Sequence, residues 1–395
     1  MIKGGQLQLL PFKSGSTFNR LKLIQLVNEL NNTEIPNYKI WLDRLDSRDP
    51  QMVFNSARNS YQTVLILLAR RINKFNMLPY GAMVNPNLVS IWNSYARSLE
   101  MLFNFANNDK DVLEVPHLKG NNKRLVSIFE EIIALHSDNI QELNEGLKEV
   151  KPIWGSLINE KVFLDDHLKE RILMRLVCMN HILLSSNSKG DAEAGVKGNV
   201  VGLIDKEMDV LQVVKNSIQF VNGISKLKYD EQVEFNIETI IDSPDSYLNE
   251  KNIDLDHLEK FNRLVFPYVR SHVEYVLNEI LKNSCRATVE NDIKRPIDVL
   301  ISLKKDANGS TLCIKISDRA LGIHPDIVDS LWKYSYTTVK AKENDGQNLV
   351  GDNIIAGMGY GLPLSLIYCK LFGGDIRLKS IYGKGTDVYL IWKGI

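Results

Sequence analysis

The hydrophobic period of this chain changes once along its length, and that change constrains the fold more than any other feature. From Phe54 to about Leu184 the period is helical. Ala57, Tyr61, Val64, Leu65, Leu68, Ile72 and Phe75 recur mostly at spacings of three and four,. Met77-Leu78-Pro79-Tyr80-Gly81 breaks that helix, and Asn85-Pro86 starts the next,. Val89, Trp92, Ala96, Leu99 and Phe103 then share a face. A polar loop is expected over 107–122, a third helix over about Arg124–Val150, and a fourth after Phe163-Leu164-Asp165. Together these predict an all-α, up-and-down four-helix bundle.

Past the polar run Ser185-Ser186-Asn187-Ser188-Lys189-Gly190 the period shortens to two,. Val210, Leu211, Val213 and Val214 open one more helix. Val299, Ile301 and Leu303 alternate, Asn308-Gly309 reads as a turn, and Leu312, Ile314 and Ile316 alternate again,. Ile376-Leu378 and Val388-Leu390-Trp392 repeat the pattern around Gly383 and Gly385. Helices interleaved with antiparallel hairpins predict an α+β domain whose sheet is covered by helices on one face. The domain limits read from sequence are an arm over 1–38, a helical domain over 39–190 and an α+β domain over 191–395.

Composition narrows the function. Lysine and arginine total 48, as do aspartate and glutamate, so no global field favours nucleic acid,. No apolar run reaches the roughly 18 residues of a membrane span. Cys178, Cys285, Cys313 and Cys369 lack metal-ligand spacing and read as reduced thiols,. The arm has Lys3, Lys13, Arg20 and Lys22 before its first acid, Glu29. Its amphipathic, acid-free start is that of a mitochondrial transit peptide; an uncleaved N-terminal arm is the alternative.

The chemistry lies in the second domain. Val269, Val273, Val276, Leu277, Ile280 and Leu281 form an apolar stripe, which leaves Glu279, Asn283, Arg286 and Glu290 on another face,. An amide oxygen can ligate a hard cation, and a carboxylate one turn away can take a proton from an attacking hydroxyl. A solvated face paired at i,i+4 is the plainer account of the same spacing. Ser317-Asp318-Arg319-Ala320-Leu321-Gly322 ends a strand with a carboxylate where the chain reverses. That carboxylate could accept from the exocyclic amine of a purine, or serve an ordinary turn. The hydroxyl cluster Tyr334-Ser335-Tyr336-Thr337-Thr338 precedes a polar, lid-like stretch. Gly357-Met358-Gly359-Tyr360-Gly361-Leu362-Pro363 follows, and its alternating glycines let backbone amides approach a polyanion at a helix start,.

Taken in order, these segments resemble the ATP-binding fold shared by gyrase-type topoisomerases, the heat-shock chaperone and sensor histidine kinases. Within it, Asn278 to Glu290, Gly359 to Ser365 and Gly385-Thr386-Asp387-Val388-Tyr389 look like the mitochondrial protein kinases that phosphorylate pyruvate and branched-chain 2-oxoacid dehydrogenases. Asn76-Met77-Leu78-Pro79, Phe163-Leu164-Asp165, Arg171-Ile172 and Arg175 resemble that family's helical domain. Within that family the wording resembles fungal-type pyruvate dehydrogenase kinases.

The resemblance implies a histidine-kinase-like ATP-binding sandwich, with ATP and magnesium as cofactors. By it, Glu279 is the general base and Asn283 holds magnesium. Asp318 accepts from adenine with Thr386 beside it. Gly357, Gly359 and Gly361 wrap the phosphates, Thr337 and Thr338 lie near the nucleotide, and 340–356 is the lid. Lys282, Arg286, Gly322, Met358, Tyr360 and Leu362 complete the ATP-binding set. It further implies a mitochondrial-matrix serine kinase that inactivates the dehydrogenase subunit of the pyruvate dehydrogenase complex. The transacylase core's lipoyl domain is its docking partner, and homo- or heterodimerisation is expected. A branched-chain substrate, or a nucleotide-binding adaptor without catalysis, is the alternative. A sensor histidine kinase would need a phospho-accepting histidine, for which His136, His167 and His181 are the candidates.

Three features depart from the family pattern. Ala320 and Leu321 stand where two glycines are usual, and Tyr275 stands where a histidine often precedes the base by four residues. The Asp-Trp tail of many relatives does not follow Trp392-Lys393-Gly394-Ile395, which puts tail-mediated dimer control in doubt.

Overall fold

The computed structural model describes residues 20–36, 50–106, 118–187, 200–242, 264–306, 309–334 and 359–395. The chain divides into two units, Met1–Gly195 with Val201–Leu203, and Val196–Val200 with Ile204–Ile395.

The first unit is helical: α1 (Arg20–Asn31), α2 (Pro50–Asn76), α3 (Pro86–Phe105), α4 (Leu118–Leu135), α5 (Asn139–Trp154) and α6 (Glu160–Asn187). α2 stops ahead of Leu78-Pro79, and Asn85 caps α3 by accepting from the amides of Asn87 (3.0 Å) and Leu88 (3.2 Å),. α1 falls inside the expected arm yet buries Leu23, Leu26, Val27 and Leu30. Its Asn31 accepts from Asn73 of α2 at 3.2 Å.

The described helices number six rather than four. The expected loop over 107–122 is already helical from Leu118, and 107–117 lies outside the described residues. The single helix expected over Arg124–Val150 is two, broken at His136-Ser137-Asp138. Polar side chains explain the break. His136 turns inward to the Ser98 hydroxyl (2.9 Å), and Asn139 donates to the Ser94 hydroxyl (3.1 Å). Arg171 donates to the His136 carbonyl at 3.0 Å. Such side-chain bonds offer the backbone an alternative to helix and turn α5 back along α3.

The bundle core is partly polar. Arg71 is fully buried and donates to the Tyr95 hydroxyl at 2.6 Å and to the His167 carbonyl. His136, His167 and His181 are all buried. Burial first, then the Arg71 charge, pushes His136 down to about 3 and His167 well below its usual value. Burial alone pushes His181 down to about 4. None of the three presents an accessible phospho-acceptor, which removes the support for a sensor histidine kinase.

The second unit holds a mixed five-stranded sheet. Its members are β2 (Phe235–Asp242), β4 (Ile297–Asp306), β5 (Gly309–Asp318), β6 (Asp375–Ile381) and β7 (Gly385–Lys393), in the order β2-β4-β5-β7-β6. β2 runs parallel to β4; the other neighbours are antiparallel. Ile297, Val299, Ile301 and Leu303 point into the core, as do Leu312, Ile314, Ile316, Val388, Leu390 and Trp392,. Over that face lie α7 (Val210–Tyr229), α8 (Arg270–Glu290) and α9 (Gly361–Lys370). Two members of a second, three-stranded sheet, β1 (Ile204–Asp209) and β3 (Val265–Val269), pair antiparallel beside α7 and α8; its third member is the short strand Val200–Val201. That short strand, β1, β2 and β3 escaped sequence reading. Among the described residues no helix is long and apolar enough to cross a membrane.

Candidate active site

α8 forms because Val273, Val276, Leu277, Ile280 and Leu281 bury one stripe,. Its opposite face borders a cavity of about 670 Å³ in the second unit. Glu279, Lys282, Asn283 and Arg286 all line it. Asn283 is exposed there, and its carboxamide has no partner among the described residues. Glu290 leaves the group: it accepts from the Tyr229 hydroxyl at 3.0 Å and pairs with Arg286 at 3.6 Å.

Glu279 is held from two directions. The Lys282 ammonium donates to its Oε1, and both side chains are mostly buried. Its Oε2 lies where a methyl group on Gly361 would be, so only glycine fits there without displacing the carboxylate. Tyr275 packs its ring on Tyr368 of α9, with centroids 4.8 Å apart. His272, one turn earlier, also packs on Tyr368 and is pushed down to about 3 by burial.

The opposite wall is the end of β5. Asp318 is buried, and its Oδ1 accepts from the amides of Ala320 (3.2 Å) and Thr386 (3.3 Å). Burial pushes its carboxyl up; those two bonds and one from the Ser284 side chain oppose the shift,. Backbone crosses backbone here. Gly322 has φ +67° and lies against the Ile381 carbonyl, and Gly385 has φ +133° and lies against the Asp318 carbonyl. Ser380, which no sequence pattern marked, ties the crossing together. Its hydroxyl accepts from the Ile323 amide (2.8 Å) and meets the Thr386 hydroxyl (2.9 Å).

The first turn of α9 completes the cavity. Gly359, Gly361 and Leu362 line it, and no described side chain caps α9, so the Gly361 and Leu362 amides are donors at the lining,. Tyr360 is buried with its ring centroid 5.4 Å from that of Tyr334, and it does not line the cavity. Thr337, Thr338, the stretch 340–356, Gly357 and Met358 lie outside the described residues. Leu321, marked in the sequence, sits on an apolar rim with Ile323, Ile327, Leu331 and Tyr382; those four were missed by sequence, because scattered positions carry no period.

Comparison with known proteins accounts for both units. Residues 40–205 match a family model described as mitochondrial branched-chain alpha-ketoacid dehydrogenase kinase. Residues 268–393 match the histidine kinase-, DNA gyrase B- and HSP90-like ATPase model. The mitochondrial pyruvate dehydrogenase (acetyl-transferring) kinase 1 of Saccharomyces cerevisiae is 28% identical over 84% of this chain and 76% of its own. The human mitochondrial isozyme 4 is 30% identical over 85% of this chain and 75% of its own. The chain belongs to the mitochondrial 2-oxoacid dehydrogenase kinase family.

Within this kinase family the two glycine replacements differ in consequence. Ala320 is buried and its methyl forms part of the wall, whereas Leu321 is half exposed on the rim. Neither displaces Asp318, because the contact from residue 320 is made by its amide.

Proposed function

We propose that this kinase phosphorylates a serine of the dehydrogenase subunit of the mitochondrial pyruvate dehydrogenase complex and thereby inactivates it. The observation that carries this is the meeting of Glu279, Asn283, Asp318 and the start of α9 around one cavity. The serine Oγ attacks the γ-phosphorus of ATP, Glu279 takes the hydroxyl proton, and ADP leaves with the bridging electron pair. Asp318 accepts from the adenine amine. The α9 amides and Lys282 take phosphate oxygens. Asn283, whose amide oxygen is uncommitted among the described residues, suits a hard cation, and magnesium bound there would neutralise phosphate charge,. Such transfer rests mainly on positioning and charge neutralisation, so this small set suffices.

The names of the relatives support the pyruvate complex as substrate and the mitochondrion as location. The matrix compartment, docking of the helical unit on a lipoyl domain, and dimerisation with itself or a related kinase complete the proposal. The name of the model matching 40–205 favours a branched-chain complex as the second reading.

The test is transfer of labelled γ-phosphate to each purified complex. Incorporation into the pyruvate dehydrogenase subunit, lost in Glu279→Gln, is expected. Incorporation only into the branched-chain subunit would select that substrate. A wild type that binds ATP and labels neither would be an adaptor.

A further inference from the structure

Glu279 is placed to act as a base, yet its carboxylate is paired: Lys282 donates to Oε1, while Oε2 occupies the space that a methyl group on Gly361 would take. An oxygen bonded to an ammonium has that lone pair occupied and cannot take a serine proton through it. Gly361 opens α9 and cannot move without carrying the helix, whereas Lys282 sits on a flexible four-carbon stem,. The Lys282 pairing is therefore the contact of this carboxylate that can be released.

Lys282 also lines the cavity, where a bound triphosphate would be a second and stronger anion. The pair is 15% and 20% exposed, so solvent screens it less than a surface pair,. The other cation on this face, Arg286, pairs with Glu290. We propose that nucleotide binding and release of the base are coupled through Lys282. The triphosphate draws the ammonium off Glu279, and the carboxylate becomes free to accept the proton only once a phosphoryl donor is bound. This rests on the phosphotransfer function proposed above, and it adds a positioning role for Lys282 that sets the order of events.

The coupling has a signature that simple phosphate contact lacks. If MgATP must pull Lys282 away from Glu279, removing the carboxylate makes MgATP bind tighter. Calorimetric titration of the full-length protein with MgATP, in wild type, Glu279→Gln, Lys282→Met and the double variant, reads this directly. Glu279→Gln is expected to bind about threefold tighter or more, a coupling of the size seen between contacting residues. Lys282→Met is expected to bind more weakly, and the double variant to show no tightening over Lys282→Met. Glu279→Ala serves as second variant, read the same way if Glu279→Gln does not fold. Unchanged or weaker binding in a folded Glu279 variant overturns the coupling, as does tightening that survives without Lys282; the phosphotransfer function would stand in either case. A wild type that fails to bind MgATP overturns both.

Discussion

Asp318 carries two separable properties. Its Oδ1 serves the two amides that hold the wall, and its charge supplies the acceptor a purine amine needs. Asp318→Asn keeps an oxygen for the amides but presents a donor to a donor. It is expected to lose about tenfold or more in MgATP affinity by calorimetry, with the thermal midpoint held, since hydrogen bonds to charged groups contribute about 1.5–3 kcal/mol. The same variant tests the raised carboxyl. Burial lifts the folded value above the usual 3.8, so the unfolded chain ionises first. The folded state then holds the extra proton, and the stability Asp318 contributes is lost as pH rises from about 3.8 through the folded value,. Thermal melts across that window should show the wild-type midpoint falling relative to that of Asp318→Asn. At Gly361 a single methyl displaces the Glu279 carboxylate. Gly361→Ala should slow single-turnover transfer by about a hundredfold, the cost of misplacing a catalytic group by roughly 1 Å.

At the level of elements, legibility followed burial. The alternation in β4, β5 and β7 is regular because each has one fully buried face, and all three could be read from sequence. β2 is an edge strand whose Glu238, Thr239 and Ile240 are exposed, so its pattern reads as a loop. β1 is irregular: its register against β3 shifts between Asp205 and Met208, and its middle is Lys206-Glu207. The break at His136-Ser137-Asp138 stayed hidden because apolar periodicity continues on both sides of it. By contrast, the cap at Asn85 was legible, since Asn-Pro after a turn is a local signal. Asn85→Ala should cost about 1 kcal/mol in urea unfolding, from the lost cap. The site followed the same rule. Glu279, Asn283 and Asp318 lie at marked positions on a helix face and a strand end, whereas Ser380 and the rim come from chain crossings that no linear pattern encodes.

At the scale of the whole molecule, the balance of 48 basic and 48 acidic residues leaves no net field. MgATP affinity should therefore change little with added salt, a point calorimetry at two ionic strengths would check. Acid is a different matter. His136 and His181 are held neutral in the first unit with values near 3 and 4, while the unfolded chain takes up protons from about 6.5 downward. At these two sites the unfolded state binds more protons throughout that interval, so the stability they contribute falls as pH drops from about 6.5 toward 4,. A His181→Asn variant should show a shallower slope in denaturant midpoint against pH. The crossing of Gly322 over the Ile381 carbonyl, and of Gly385 over that of Asp318, bears on how such a chain can change over time. The grip on Asp318 is made of main-chain amides, which every residue but proline supplies. Position 321, half exposed on the rim, is thus free to drift in side chain without loosening the acceptor, while a side chain at 322 or 385 would force the crossing segments apart. Random mutagenesis with selection for retained nucleotide binding should recover diverse residues at 321 and glycine alone at 322 and 385.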